Sequence, residues 1–223
     1  MTHTKAVWDQ VREAEALPTF TLGPVNTESV LHDLKHLGFT IARYKFAAKM
    51  LHRCRQILEV GCGEGIGALM FLADTQAQVT GVDFDAAQIE YATRHVLPHG
   101  RDRLTFLCQD LVSTPYAGPR VEGLVSLDVI EHIDPAEEPR FLQHCADALE
   151  PSGVAVIGTP SLHAHPYSSA RSQKGHINLF DPARLTSTLE RSFSRVFLFS
   201  MNDELVHTGF HKMAHYLMAL CVK

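Results

Sequence analysis

The stretch LVSLDVIEHID, residues 124–134, runs from an apolar, strand-like segment into Asp128, Glu131 and His132. Two carboxylates and an imidazole so close behind a buried strand can hold a divalent cation or move the proton of a hydroxyl. A second chemical signal lies upstream in ILEVGCGEGIG, residues 57–67. Here Glu59 sits at the end of an apolar run, and Gly61, Gly63 and Gly65 precede a helical pattern. Glycine allows a tight turn and a close approach of backbone N–H groups to a ligand. The N-terminus of the following helix favours an anionic group. Twenty residues after Gly63 another strand pattern ends in Asp83, whose carboxylate can accept hydrogen bonds from both hydroxyls of a ribose. A third ends in Gln109 and Asp110, suited to the edge of an adenine.

Taken alone, the glycine loop admits two ligands. In one register Gly63, Gly65 and Ala68 fit the dinucleotide pattern G-x-G-x-x-A, with Asp83 at the ribose position. The register that ends the strand at Val60 fits better, because ILEV is the apolar run. A turn that simply needs glycines is the bland alternative.

These groups need a scaffold, and the pattern of apolar residues supplies one. Strand patterns fall at 55–60, 77–83, 104–110, 122–128, 153–160 and 194–201, with a seventh at 214–223. Helical patterns at 66–73, 85–96, 136–149 and 181–191 lie between them. Such alternation predicts a parallel sheet with helices on both faces. Ligands of these sheets sit beyond the carboxyl ends of the strands, where every motif above falls. Upstream, residues 5–16 suggest a short amphipathic helix that stops near Pro18. Residues 27–51 carry Val30, Leu31, Leu34, Leu37, Ile41, Tyr44, Ala48 and Leu51 at helical spacing. Asn26 or Thr27 is the expected cap, and Gly38 the expected bend or break.

The whole chain bounds the function. Its 223 residues, 45% apolar, suit one large α/β domain or one domain with a small addition. A net charge of −5 with scattered Lys and Arg argues against nucleic-acid binding. Five cysteines without a CxxC pair point to reduced thiols and a cytoplasmic protein. The start MTHTKAVWDQVREAEA has no leader-peptide pattern, and no apolar run approaches the ~18 residues of a membrane span. Fourteen histidines make the charge sensitive around pH 6–7, about where imidazole titrates. No pattern speaks to oligomeric state.

In order and spacing, ILEVGCGEG, VTGVDFD, CQDL and LEPSGVAVIGTP resemble the class I S-adenosylmethionine-dependent methyltransferases, over about residues 40–200. The resemblance implies an α/β, Rossmann-like, seven-stranded and mostly parallel sheet with an antiparallel last strand. It implies a cofactor-binding domain over 53–223 and a helical lid over the substrate from 1–52. It also implies S-adenosylmethionine as cofactor. Glu59 and the backbone at Gly61 and Gly63 would surround the methionine end, and Asp83 would hold the ribose. Phe84 would flank the adenine, Asp110 with Leu111 would contact it, and Leu127 would lie under the sulfonium.

Within that superfamily, the Asp-x-x-Glu-His segment resembles two O-methyltransferase groups. One acts on catechol-like rings in ubiquinone biosynthesis; the other acts on the terminal ribose 2′-hydroxyl of small RNAs. Both use an acid-x-x-Glu-His segment and a downstream histidine for a divalent metal. The resemblance assigns that role to Asp128, Glu131, His132 and His176, with Asp128 where those groups usually carry Glu. Mg, Mn, Fe and Zn all suit two carboxylates and two imidazoles. The competing assignment has Glu131 bonding backbone, Asp134 opening the next helix before Pro135, and His132 alone orienting substrate or acting as base.

The expected reaction is methyl transfer to a hydroxyl of a small molecule, with Glu131 and His132 as candidate catalytic residues. The alternatives are a metal-free N- or carboxyl-methyltransferase, a nicotinamide-dependent oxidoreductase and an idle adenosyl-binding module. Two further segments offer substrate contacts. One carries Asn202, Asp203, Glu204, His207 and His211, with an ordinary solvated loop as the alternative. The other, residues 162–176, carries Tyr167, Ser168, Arg171 and Lys174.

Overall fold

The computed structural model describes residues 2–13, 20–100 and 102–223. Three helices come first: α1 (His3–Glu13), α2 (Pro24–His32) and α3 (Lys35–Met50). An alternating run follows: β1 (Gln56–Val60), α4 (Ile66–Asp74), β2 (Gln78–Asp83), α5 (Ala86–His95), β3 (Leu104–Cys108), β4 (Val121–Leu127), α6 (Glu138–Ala148) and β5 (Leu149–Pro160). The chain ends with α7 (Ala170–Gly175), α8 (Pro182–Leu189), β6 (Arg195–Asn202), β7 (Leu205–His207) and β8 (Tyr216–Val222).

All eight strands form one sheet in the order β3-β2-β1-β4-β5-β8-β6-β7. The first five are parallel. Strand β8 is antiparallel to both β5 and β6. The strand order reverses beside β1, so the crevice between the ends of β1 and β4 is where a ligand fits. Seven strands lie where their patterns predict. The eighth, β7, pairs antiparallel with β6 around a tight turn at Asp203, whose φ is 48°. Three residues are too short to show a periodicity of two, so the sequence pattern does not betray it.

Alternation along the strands divides the core in two. Leu124, Ala155, Ile157, Leu217 and Ala219 face one side, against Phe141 and Leu142 of α6 and Leu185 and Leu189 of α8. Val125, Leu127, Val156, Tyr216 and Met218 face the other, against Tyr44, Ala47 and Ala48 of α3 and Phe71 of α4. Successive strand residues point to opposite faces, so a sheet buried on both sides is apolar throughout. Each fully buried Leu or Phe contributes roughly 1.5–3 kcal/mol.

The helical pattern over 27–51 is two helices rather than one. The break is at Asp33, extended at φ −148° and ψ 103°, and not at Gly38. Gly38 lies inside α3, where an added Cβ would come within 2.9 Å of Glu204 Oε1. The helix runs through it without a break. Helix α2 also starts earlier than expected. Gly23 is its N-cap and Pro24 opens its first turn, in place of a cap at Asn26 or Thr27. The expected end of α1 near Pro18 lies outside the described residues.

Glu64, in the glycine loop, supplies the cap that α2 lacks locally. Its carboxylate accepts from the Val25 amide at 2.7 Å, the Asn26 amide at 3.0 Å and Asn26 Nδ2 at 2.6 Å. First-turn amides have no partner inside a helix, and a carboxylate satisfies them and the helix dipole together. This bond joins the N-terminal helices to the loop after β1. Glu64→Ala should cost about 1 kcal/mol locally, the scale of losing a cap. Hydrogen exchange at Val25 and Asn26 should therefore quicken roughly fivefold, since ~1.4 kcal/mol would be tenfold. Unchanged exchange at both amides would show that the carboxylate does not hold α2.

Candidate active site

The loop after β1 closes through its backbone. Gly61 and Cys62 amides donate to the Val82 carbonyl at 2.8 and 3.0 Å. Gly61, at φ 75°, lies so close to Val129 that an added Cβ would overlap it. Gly65, at φ 82°, is the N-cap of α4, with no side chain over the helix's first amides. Both positions need the left-handed backbone that only glycine adopts cheaply. The N-terminus of α4 is left able to receive negative charge.

Asp83 sits at the end of β2 and is 8% exposed. Its Oδ2 accepts from the Gly63 amide at 2.9 Å and its Oδ1 from the Asp85 amide at 2.9 Å. Each carboxylate oxygen keeps a further lone pair. Phe84 beside it is 76% exposed. At the end of β3, the Asp110 carboxylate accepts from Val112 N at 2.8 Å and Ser113 Oγ at 2.5 Å. Burial works against its charge, but the Ser113 hydroxyl and the local amides outweigh that and lower its pKa. Its oxygens are thus engaged in their own turn, with Leu111 buried beneath.

Glu59 is 1% exposed, and neither of its oxygens has a hydrogen-bond partner among the described residues. Burial pushes its pKa up to about 8; the neighbouring Tyr44 hydroxyl opposes that shift, and the Asp83 charge adds to it. It shares the space over Gly67 with Tyr44, so that a Cβ there would overlap both.

Beyond β4 the chain turns sharply at Asp128, where φ is 58°. Asp128 N donates to the Gly158 carbonyl and to Tyr216 Oη, both at 3.1 Å. Its carboxylate accepts from one nitrogen of Arg43 on α3, at 3.0 and 2.9 Å. The next residues form a short 3-10 turn, Ile130–His132, which carries Glu131 inward. Glu131 is 1% exposed; Oε2 accepts from Thr159 Oγ1 at 3.1 Å, and Oε1 has no partner among the described residues. Burial, and then the nearby Asp128 charge, hold it well above the usual carboxylate range. His132 Nδ1 lies 2.9 Å from the Gly175 carbonyl. A carbonyl only accepts, so Nδ1 carries the proton and Nε2 keeps a lone pair. The His132 and His176 rings are 5.0 Å apart. Burial, then His132, lower the pKa of His176.

Ligand atoms of Glu131, His132 and His176 all lie within 4.8 Å of one another. Three of the four residues expected to bind a metal are therefore together. Asp128 is not in that cluster, because its carboxylate is turned to Arg43. Sequence reading also missed Arg43, Thr159 and Asn178. The Asn178 amide donates to the Glu131 carbonyl at 3.0 Å, and its Nδ2 donates to Glu138 at 2.9 Å. Arg184 completes the set, 2.8 Å from the same Glu138 oxygen. This buried network clamps the His176 segment onto the Glu131 turn.

Known proteins share the sequence pattern and the fold. Residues 57–153 match the family model described as a methyltransferase domain. A "probable S-adenosylmethionine-dependent methyltransferase" of Mycolicibacterium smegmatis is 29% identical over 171 residues, 75% of this chain and 63% of that relative. A ubiquinone biosynthesis O-methyltransferase of Chelativorans sp. is 30% identical over 113 residues, 51% of this chain and 43% of that relative. Among solved structures, the bacterial methyltransferase domain CtHen1-C superposes with a TM-score of 0.68 at 17% identity, over 82% of this chain and 98% of that one. The TehB-like SAM-dependent methyltransferase of Corynebacterium glutamicum does so at 0.63 and 20%, over 90% and 100%.

Residues 57–153 thus carry the pattern of a methyltransferase domain, on a fold shared with solved S-adenosylmethionine-dependent methyltransferases. The chain spans less than two thirds of the length of these curated relatives. Among the described residues, the histidines at 207, 211 and 215 form no group with metal-ligand spacing. Among the described residues only Glu131, His132 and His176 form a group with metal-ligand spacing. His207 pairs with Asn202 at 2.9 Å and His211 with Ser200 Oγ at 2.6 Å, and no helix aligns them. Arg171 of α7 pairs with Glu28 of α2, so the loop after β5 meets the N-terminal helices. All five cysteines are free thiols. No helix of the described residues is long and apolar enough to cross a membrane.

The raised pKa of Glu59 has a thermodynamic consequence. Its protonated form is favoured in the fold, so its contribution is fully present below the unfolded value, near 4.5, and is lost as pH rises through about 8. Glu59→Gln should remove that part of the slope and be the more stable protein at pH 8.5, by an order of ~1 kcal/mol or more. Urea denaturation at pH 5 and pH 8.5 measures it. Parallel pH profiles for the two proteins would mean that Glu59 is ionised at little cost.

Proposed function

We propose that the protein transfers a methyl group from S-adenosylmethionine to a hydroxyl of a small molecule, with a divalent cation held by Glu131, His132 and His176. The observation that carries this reading is the cluster itself, at the end of β4 beside the glycine loop. Its Glu131 Oε1 and His176 Nδ1 are buried without partners among the described residues, and a cation would satisfy both. The donor set fits: one carboxylate and two imidazoles suit Mn, Fe or Zn, and less well Mg. Similarity to proteins named ubiquinone biosynthesis O-methyltransferases supports oxygen as the acceptor.

On this reading the cofactor lies across the ends of β1, β2 and β4. Glu59 and the amides at Gly61 and Gly63 face its methionine end. Asp83 has lone pairs left for the ribose hydroxyls, and Phe84 covers the adenine. Leu111 packs at the adenine and Leu127 under the sulfonium; the Asp110 carboxylate, held by its own turn, shapes that wall. Bound S-adenosylmethionine supplies an electrophilic methyl group on sulfur. A bound divalent cation supplies Lewis acidity that lowers the pKa of a hydroxyl. Residues 1–52 serve as a lid that excludes water and orients the acceptor. Alignment of this kind is worth up to ~7–11 kcal/mol. A second reading rests on the His132–Gly175 bond. With Nδ1 protonated, His132 Nε2 can itself take the hydroxyl proton, with no cation.

Asp83→Ala should weaken S-adenosylmethionine binding by ~1–3 kcal/mol, the scale of hydrogen bonds to a charged group. Calorimetry that finds equal affinities would remove the ribose assignment. Turnover on a panel of catechols, sugars and acids should fall with excess chelator. Glu131→Ala and His176→Ala should lose the chelator-sensitive turnover while keeping cofactor affinity. Full activity in chelator, lost only in His132→Ala, would select the cation-free reading.

A further inference from the structure

We infer that Arg43 of α3 binds a carboxylate of the methyl acceptor. This rests on the methyl transfer proposed above and names the class of molecule that receives it: with a hydroxyl as the reacting group, the acceptor is a hydroxy acid. Helix α3 runs antiparallel to β4 across the sheet. Near its end Leu51 lies over the start of β4, where a Cβ on Gly123 would meet Leu51 Cδ2 at 3.2 Å. Ala47 and Ala48 are fully buried in the same core. Two turns before Leu51, Arg43 meets Asp128, just past the other end of β4. Residues three and four apart share a helix face, so Thr40 and His36 continue the stripe that Arg43 begins. At ~1.5 Å per residue they stand roughly 5 and 10 Å further on, beyond the carboxyl ends of the strands. Gly38, between them, approaches Glu204 of the turn between β6 and β7, which closes that side. The first half of α3 thus overhangs the crevice with a polar face.

Arg43 has donors to spare there. Nη1 alone serves both oxygens of Asp128. Nε is buried without a partner among the described residues. Nη2 also makes no hydrogen bond with the described residues, but it is not enclosed as Nε is. The guanidinium is fixed in place, 3.8 Å over the ring of Tyr216, and its side chain is 12% exposed. Five donors in a rigid fork let one guanidinium serve two carboxylates. Arg171, on the loop after β5, is already paired with Glu28. The charges around Arg43 leave room for an anion. Asp128 offsets Arg43, and burial, then Arg43, lower the pKa of His36, which keeps that imidazole neutral near pH 7. Bound S-adenosylmethionine adds the positive charge of its sulfonium, which a carboxylate on the acceptor balances. A charge-assisted bond at Nη2 is the strong kind, and it fixes the acceptor in one orientation.

The test is binding of matched probes to the full chain loaded with S-adenosylhomocysteine, read by calorimetry. The probes are a dihydroxybenzoate, a hydroxyphenylacetate and a sugar acid, each against its neutral amide. The wild-type protein should bind at least one acid ~10-fold tighter than its amide, the scale of a hydrogen bond to a charged group. Asp128→Asn frees Arg43 and should bind that acid tighter still, an effect that a merely structural Arg43 would not produce. Adding Arg43→Gln to Asp128→Asn removes both charges together and should bring the ratio of acid to amide close to one. Arg43→Lys, a point charge already engaged by Asp128, should lose most of the preference as well. Retained S-adenosylhomocysteine affinity shows that the variants fold. A wild-type protein with no preference for any acid, including one that binds no probe, overturns the inference, and so does a preference that survives in both Arg43 variants. Mass spectrometry of the product tests the reading beneath: a methyl on nitrogen or on the carboxylate, with the Arg43 dependence intact, overturns the hydroxyl as acceptor and leaves the Arg43 contact standing.

Discussion

A carboxylate removed from water must find a partner or give up its charge. That constraint arranges the edge of the sheet where all the chemistry gathers. Glu64 meets the open amides of α2. Asp128 meets Arg43, and Glu138 meets Arg184 and Asn178. Each pairing ties a helix or loop to the carboxyl ends of the strands. Asp83 is satisfied by two amides of the loops it anchors. Glu59 and Glu131 are the exceptions, each 1% exposed; both oxygens of Glu59 and Oε1 of Glu131 lack a hydrogen-bond partner among the described residues. Exceptions to a strong rule are where a ligand is expected, and these two flank the crevice beside β1.

The backbone prepares the same place. A parallel sheet brings the ends of β1, β2, β3 and β4 to one side, and each end bears its own group. Gly61 turns the chain through a conformation closed to other residues, so that it passes against Val129. Asp128 turns it again at φ 58°, a strain that Asp tolerates better than most residues. The turn aims Glu131 into the core and leaves His132 beside His176. One sharp bend thus distributes three neighbours in sequence, Asp128, Glu131 and His132, among different partners.

Much of this was legible in the residues. The five parallel strands, the glycine loop, Asp83 at its strand end and the Glu131–His132–His176 grouping follow from local pattern and resemblance. The failures were also physical. Helical spacing over 27–51 continues across the break at Asp33, because apolar residues on α2 and α3 keep a common period through it. Asp128 looked like a metal ligand because its partner Arg43 is 85 positions away and belongs to another element. Asn178 gave no signal in the sequence, and only its burial between Glu131 and Glu138 gives it meaning.

From the sequence alone came what neighbours along the chain control: strand and helix, the places only glycine can occupy, and the acids that end the strands. Only the tertiary structure decided which acid is paired and which is left open. Pairing depends on which cation folding brings within ~3 Å. Arg43 reaches Asp128, and among the described residues no cationic side chain bonds Glu131.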